Sequence, residues 1–206
     1  MSGRTTHQGI VVGVDGSSSS TVALRWAARE AMIRNVPLTL VHAHGLTPVG
    51  SAVAWPAGPV SDEVRQWQED HARKIIADAI KVVEDDADRG EHPEINSELS
   101  AAAPIPTLVD LSKEAQMVVV GCRGRSALRR VLLGSVSTGL VHHAHCPVAV
   151  IHDEIPVPPR PSKLPVLVGV DGSPASELAT SIAFDEASWR GVDLVALHAW
   201  SDTEVS

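Results

Sequence analysis

Residues 121–137 read GCRGRSALRRVLLGSVS. Gly121, Gly124 and Gly134 supply bare backbone that turns without a Cβ clash and can approach a ligand closely. Arg123, Arg125, Arg129 and Arg130 add positive charge. Gly134-Ser135 opens a helix-forming run, and the first N–H groups of a helix, with its dipole, form an anion site. Together these features suit phosphate groups. A second stretch, Gly13-Val14-Asp15-Gly16-Ser17, closes a buried strand and offers a carboxylate at a turn. Asp15 suits a ligand contact, and equally a turn-stabilising role. Arg129 and Arg130 equally suit a solvated surface.

Several other chemistries lack their residues. There is no G-x-x-x-x-G-K-[S/T] and the loop has no lysine, so it is not a P-loop. "GVDGSS" is not G-x-G-x-x-G, which disfavours a dinucleotide fold. No nucleophile with a base, no acidic residue of the P-loop kind and no water-positioning Gln or Glu stands near the loop. "HHAHC" at 142–146 does not give tetrahedral ligand spacing on one helix face, and no CxxC or HExxH accompanies it. Surface or core histidines and a buried strand cysteine are the expected reading. Cys122 stands in the site loop as an oxidisable thiol, with nothing in the sequence that lowers its pKa.

The elements that position these residues alternate. "GIVVGVDGS" (9–17) reads as a buried strand and turn, and 18–35 as a helix with a serine at its start. Residues 36–45 form a second strand and 46–60 a Pro/Gly/Ala-rich loop. A long helix spans 61–90, opened by Ser61 and stopped by Gly90, with an apolar stripe of Val64, Trp67, His71, Ile75, Ala79 and Val82. Trp26 and Trp67 are expected in the core. Then come a strand (94–101), a helix (105–115), a strand with its exit loop (116–124), a helix (135–145) and a strand (146–153). Strand–helix alternation with short connections means a parallel sheet covered on both faces. With Phe184 the only Phe and no Tyr, the core is aliphatic, which suits such a sheet.

The totals set the class. A chain of 206 residues with net charge −8 is an ordinary soluble size and composition, and its charge disfavours nucleic acid or an anionic membrane as partner. No apolar run approaches the roughly 20 residues of a membrane helix, and two cysteines give no disulfide framework. A cytoplasmic location is expected.

Residues 154–165 hold five prolines and read as a stiff linker. The opening then returns: 9–44 aligns without gaps to 165–200, with 16 of 36 positions identical. This is an internal repeat of a domain. The copy carries Asp171, Gly172 and Ser173 but nothing equivalent to 45–153. The expected organisation is a nucleotide-binding domain (1–153), a Pro-rich linker (154–164) and a truncated second domain (165–206), too small to bury a core of its own.

The spacing Gly121-x2-Gly124-x9-Gly134-Ser135, with "VGVDGS", "LVHA" and "HCPVAVI", resembles the universal stress protein family over residues 9–153. The tandem arrangement is similar to mycobacterial-type two-domain members. The resemblance implies a flavodoxin-like α/β fold, a five-stranded parallel sheet of order 3-2-1-4-5. It further implies ATP binding with Mg²⁺ bridging phosphate oxygens, and a homodimer or pseudo-dimer through the fifth-strand edge. By the same resemblance, Gly13, Val14 and Asp15 contact the adenosine, and His42 and Ala43 offer backbone hydrogen bonds to the adenine edge. Gly121, Arg123 and Gly124 line the ribose and first phosphate, and Gly134, Ser135, Val136 and Ser137 wrap the outer phosphates.

Two functional classes follow. One is a nucleotide-dependent regulatory module in stress response or growth control, with at most slow ATP hydrolysis. The other is an interaction or dimerisation protein of the same fold without a working nucleotide site.

Overall fold

A computed structural model describes residues 8–45, 62–87, 90–124, 133–152 and 163–200. The chain divides into two compact units, Met1–Val157 and Pro158–Ser206.

In the first unit, strands β1 (Ile10–Gly13), β2 (Leu38–Ala43), β3 (Ile95–Ser100), β4 (Met117–Gly121) and β5 (Val148–Ile151) alternate with helices α1 (Ser18–Arg34), α2 (Asp62–Asp85), α3 (Pro104–Leu111) and α4 (Ser135–His143). The five strands form one parallel sheet in the order β3-β2-β1-β4-β5. The order reverses between β1 and its neighbours, so β1 stands at the centre with β2 and β4 either side.

The strand sequences explain the layering. In β1, Ile10 and Val12 pack with Ala23, Leu24 and Ala27 of α1 and Ile75, Ile76 and Ala79 of α2. Val11 points the other way, into a second cluster with Val41, Leu108 of α3 and Leu140 of α4. Apolar residues on both parities are what a strand covered on both faces needs. Each fully buried side chain of this size contributes roughly 1.5–3 kcal/mol.

The helix ends are specific. Ser17 caps α1, its Oγ accepting the Ser20 N–H at 3.1 Å. Asn35, in the left-handed region at φ 52°, closes it. Inside α1, Arg34 Nε meets Glu30 Oε1 at 2.9 Å with side chains only 5% and 2% exposed.

Helix α2 corrects the expected stripe. Its buried residues are Ala72, Ile75, Ile76, Ala79 and Val83, whereas Trp67 is 63% exposed and lies flat on His71 with ring centroids 5.4 Å apart. At about 1.5 Å per residue the 24-residue helix is about 36 Å long, far longer than the strands it covers, so its first turns overhang the sheet. Trp26 is half-buried against the core, as expected. The helix ends at Asp85, short of the expected stop at Gly90, and Ser61 lies outside the described residues.

The second unit holds β6 (Val166–Gly169), α5 (Pro174–Arg190) and β7 (Leu194–Leu197), with β6 and β7 parallel. It reproduces the details of the first. Ser173 Oγ caps α5 by accepting the Ser176 N–H at 3.2 Å, and Asp171 Oδ1 accepts the Ser173 N–H at 2.9 Å. That bond, together with the Ser173 and Ser176 hydroxyls, holds the Asp171 carboxyl down at about 2. Val168, Ala183 and Ala187 are buried, while Leu167, Phe184 and Leu197 are more than half exposed.

Candidate functional site

The site forms beyond the carboxyl ends of β1, β2 and β4, where an open parallel sheet places ligands. Past Gly13, Val14 N–H still donates to Val41 O at 2.9 Å, extending the β1–β2 pairing by one residue. The chain then turns. Gly16 takes φ +77°, which a glycine adopts without strain. Asp15 Oδ1 accepts the Ser17 N–H at 3.0 Å, and Asp15 N–H donates to Ser20 Oγ at 3.4 Å. Asp15 therefore stabilises its turn and also borders the site; the two readings of this residue are compatible.

On the other side, β4 ends at Gly121. Cys122 N–H donates to Ile151 O at 2.8 Å, and Cys122 O accepts from Gly134 N–H at 2.7 Å and from Ser137 Oγ at 3.3 Å. The glycine loop is thus closed by a bond between its two ends. Gly134 is the N-cap of α4 and offers no side chain to the helix start. Among the described residues, no hydrogen bond uses the N–H groups of Ser135, Val136 or Ser137. These are the first N–H groups of α4, at the positive end of its dipole.

Between these edges lies a cleft of about 490 Å³. Val41 and Ala43 of β2, Pro104 and Leu108 of α3 and Val120 of β4 give it an apolar wall. Arg123, Gly124, Leu133 and Gly134–Ser137 form the opposite end, with Gly13, Val14, Asp15, Ser20 and Gly121 between. This size and this mix, mostly apolar with a few converging polar groups, are those of small-molecule sites. A flat apolar ring fits one end and an anion the other. Asp15 faces Gly124 across the middle: a Cβ on Gly124 would stand 3.0 Å from Asp15 Oδ2.

The structure brings together Gly13, Val14, Asp15, Ala43, Gly121, Arg123, Gly124, Gly134, Ser135, Val136 and Ser137, and leaves out His42. His42 is 7% exposed, and its ring turns to the other side of β2, where Nδ1 lies 2.7 Å from Val14 O. Burial pushes its pKa down, with the bond to Val14 opposing. Strand alternation puts Val41 and Ala43 in the wall instead. Pro104, Leu108 and Leu133 were not legible as site residues, because an apolar residue lining a cleft looks in sequence like one lining a core. Arg125, Arg129 and Arg130 lie outside the described residues. Cys122 is fully buried, with Sγ 3.6 Å from Ser19 Oγ, so the expectation of an oxidisable loop thiol does not hold. No helix among the described residues is long and apolar enough to cross a membrane.

The model of the universal stress protein family matches residues 7–152 and 164–206. The chain belongs to the universal stress protein family. A universal stress protein of Mycobacterium tuberculosis is 56% identical over 206 residues, all of this chain and 68% of that protein. One from Mycolicibacterium smegmatis is 53% identical over 197 residues, 96% of this chain and 65% of that protein. Among solved structures, universal stress protein UspA from Lactobacillus plantarum superposes with a TM-score of 0.57 at 28% identity, over 70% of this chain and 97% of that one. A universal stress protein from Archaeoglobus fulgidus gives 0.69 at 19% identity over 96% of this chain and 68% of that one, a likeness of fold.

Proposed function

We propose that this universal stress protein binds ATP in the cleft of its first unit and acts as a nucleotide-dependent regulatory module. The observation that carries this reading is the start of α4. Its Ser135, Val136 and Ser137 line the cleft together with Arg123 and Gly124, in a site whose wall is otherwise largely apolar. Phosphates sit at the helix start, where donors and dipole favour negative charge. The base sits between Val41, Ala43, Pro104 and Leu108, and Asp15 meets the ribose hydroxyls between them.

Mg²⁺ fits this site as a companion of the phosphates. Among the described residues no group of three or more His, Cys, Asp or Glu gathers into a cage. Mg²⁺ keeps most of its waters and takes few protein ligands when phosphates supply the rest. Asp15 is the carboxylate in the cleft wall that an ion on the phosphates would meet. The ion would supply charge that neutralises the phosphates.

The repeat at 165–200 carries the same Asp-Gly-Ser turn, and the reading assigns one nucleotide to the cleft of the first unit. Among the described residues β5 pairs with β4 on one side only, and its other edge is the surface we assign to pairing of two copies. Occupancy of the cleft would be read out through such a surface rather than through rapid turnover.

The test is to acid-precipitate freshly purified protein and identify released small molecules by chromatography and mass. An adenine nucleotide near one per chain supports the reading. No nucleotide, and no binding when ATP and Mg²⁺ are added back, overturns it in favour of an interaction protein of the same fold.

A further inference from the structure

His42 is expected to serve the site through its backbone; its side chain lies outside the cleft lining and has a definite partner of its own. Nδ1 lies 2.7 Å from Val14 O. A carbonyl only accepts, so Nδ1 carries the proton. No other hydrogen bond among the described residues reaches that carbonyl, and Val14 is itself buried. The bond ties the last residue of the first strand's extension to β2, at the level where both strands line the cleft: Val14 and Asp15 on one, Val41 and Ala43 on the other. The Val14 N–H to Val41 O bond, 2.9 Å, is the backbone half of the same tie.

The second unit repeats the arrangement. His198 Nδ1 lies 2.6 Å from Val170 O, at the ends of β7 and β6, although His198 is exposed. The strand pair alone therefore forms this bond. In the first unit the bond joins two strand ends that both line the cleft, and a tie within the protein of this kind is what preorganisation of a site requires.

We propose that the His42 side chain is a positioning residue of the nucleotide cleft, fixing the Val14–Asp15 backbone against β2 so that the nucleoside end of the site is preformed. This rests on the nucleotide reading above and deepens it. The phosphate end, built on α4 and the Cys122–Gly134 bond, is held by other elements. The groups that act on the ring from its surroundings are His44 at the end of β2, Asp15 on the turn and His71 of α2. The His44 ring lies 5.9 Å away, roughly parallel.

The two ends make the proposal separable from a general role in folding. Titration calorimetry with adenosine, inorganic tripolyphosphate and ATP would be run on wild type, His42→Leu and His42→Asn. His42→Leu leaves a buried carbonyl without a donor, and adenosine and ATP affinities are expected to fall roughly tenfold while tripolyphosphate affinity holds. The Asn amide can donate from about the position of Nδ1, and recovers most of the loss. Equal weakening of adenosine and tripolyphosphate in His42→Leu, with a lowered melting temperature, would make the role merely structural and overturn the proposal. So would unchanged adenosine affinity in His42→Leu. If wild type binds none of the three ligands, the nucleotide reading itself fails. Should His42→Leu not fold, a substantial loss of adenosine affinity in His42→Asn, with tripolyphosphate affinity held, would count against the donor geometry proposed here.

Discussion

A Cβ on Gly121 would stand 2.8 Å from both the carbonyl carbon and the carbonyl oxygen of Ser19. The first glycine of the loop is thus required by the packing of α1 on β4, independently of any ligand. Its neighbour Gly124 is different, since a Cβ there would meet only Asp15 Oδ2, at 3.0 Å. Two glycines in one motif answer to two constraints, one of the fold and one of the site.

Gly121→Ala is expected to destabilise the first unit by about 1–3 kcal/mol, because backbone atoms of α1 must shift to admit the methyl. Gly169→Ala, at the end of β6, has no atom within 4 Å and serves as the control. It should fall within about 0.5 kcal/mol of wild type. Urea denaturation of both variants checks the contrast, and equal effects would remove the packing role assigned to Gly121.

Gly124→Glu is expected to abolish ATP binding while leaving the melting temperature close to wild type. The substitution sets a second carboxylate beside Asp15 and at the phosphate end. A like charge at about 4 Å in a partly shielded site opposes an anion by roughly 4 kcal/mol, enough for a loss of more than a hundredfold. Gly124→Ala should lose far less, since the side chain of Asp15 can swing aside. Retained ATP affinity in Gly124→Glu would place the phosphates elsewhere.

The layered fold was legible because β1, β4 and β5 are short runs rich in Val and Ile, and α1, α4 and α5 begin at Ser or Gly turn residues. The cap at Ser17 and the turn at Asp15 could be read the same way, from residue type and spacing. Three things could not. Val41 joins the cleft wall through a strand parity that the sequence does not display, since apolar residues of β2 stand on both of its faces. Pro104 and Leu108 join the wall only because the chain order brings α3 over β2 and β1. Trp67 continues the periodicity of α2 past the end of the sheet, where periodicity no longer implies burial.

Arg34→Ala is expected to cost about 3 kcal/mol, because it takes the guanidinium away from a Glu30 carboxylate that is only 2% exposed. The same pair recurs in the second unit as Arg190 and Glu186, but there the side chains are 24% and 12% exposed. Water can replace more of that lost partner, so Arg190→Ala should cost clearly less. Paired denaturation curves, with each variant followed by a probe in its own unit, measure the difference. Equal losses would show that burial does not set the strength of this pair.

The pH dependence of stability follows from His42. Its folded pKa lies below the ordinary value of about 6.5, chiefly because burial disfavours the charged ring. The unfolded chain therefore binds a proton more readily than the folded one. Stability from this residue is full above about pH 6.5 and is lost as the pH falls toward the folded pKa, below which no further loss comes from it. The urea midpoint of the first unit should thus drop between about pH 7 and pH 5. His42→Asn, which keeps a donor for Val14 O but cannot titrate, should flatten that slope. A slope that survives intact in His42→Asn would assign it to other groups, with His44 and His71 the first to substitute.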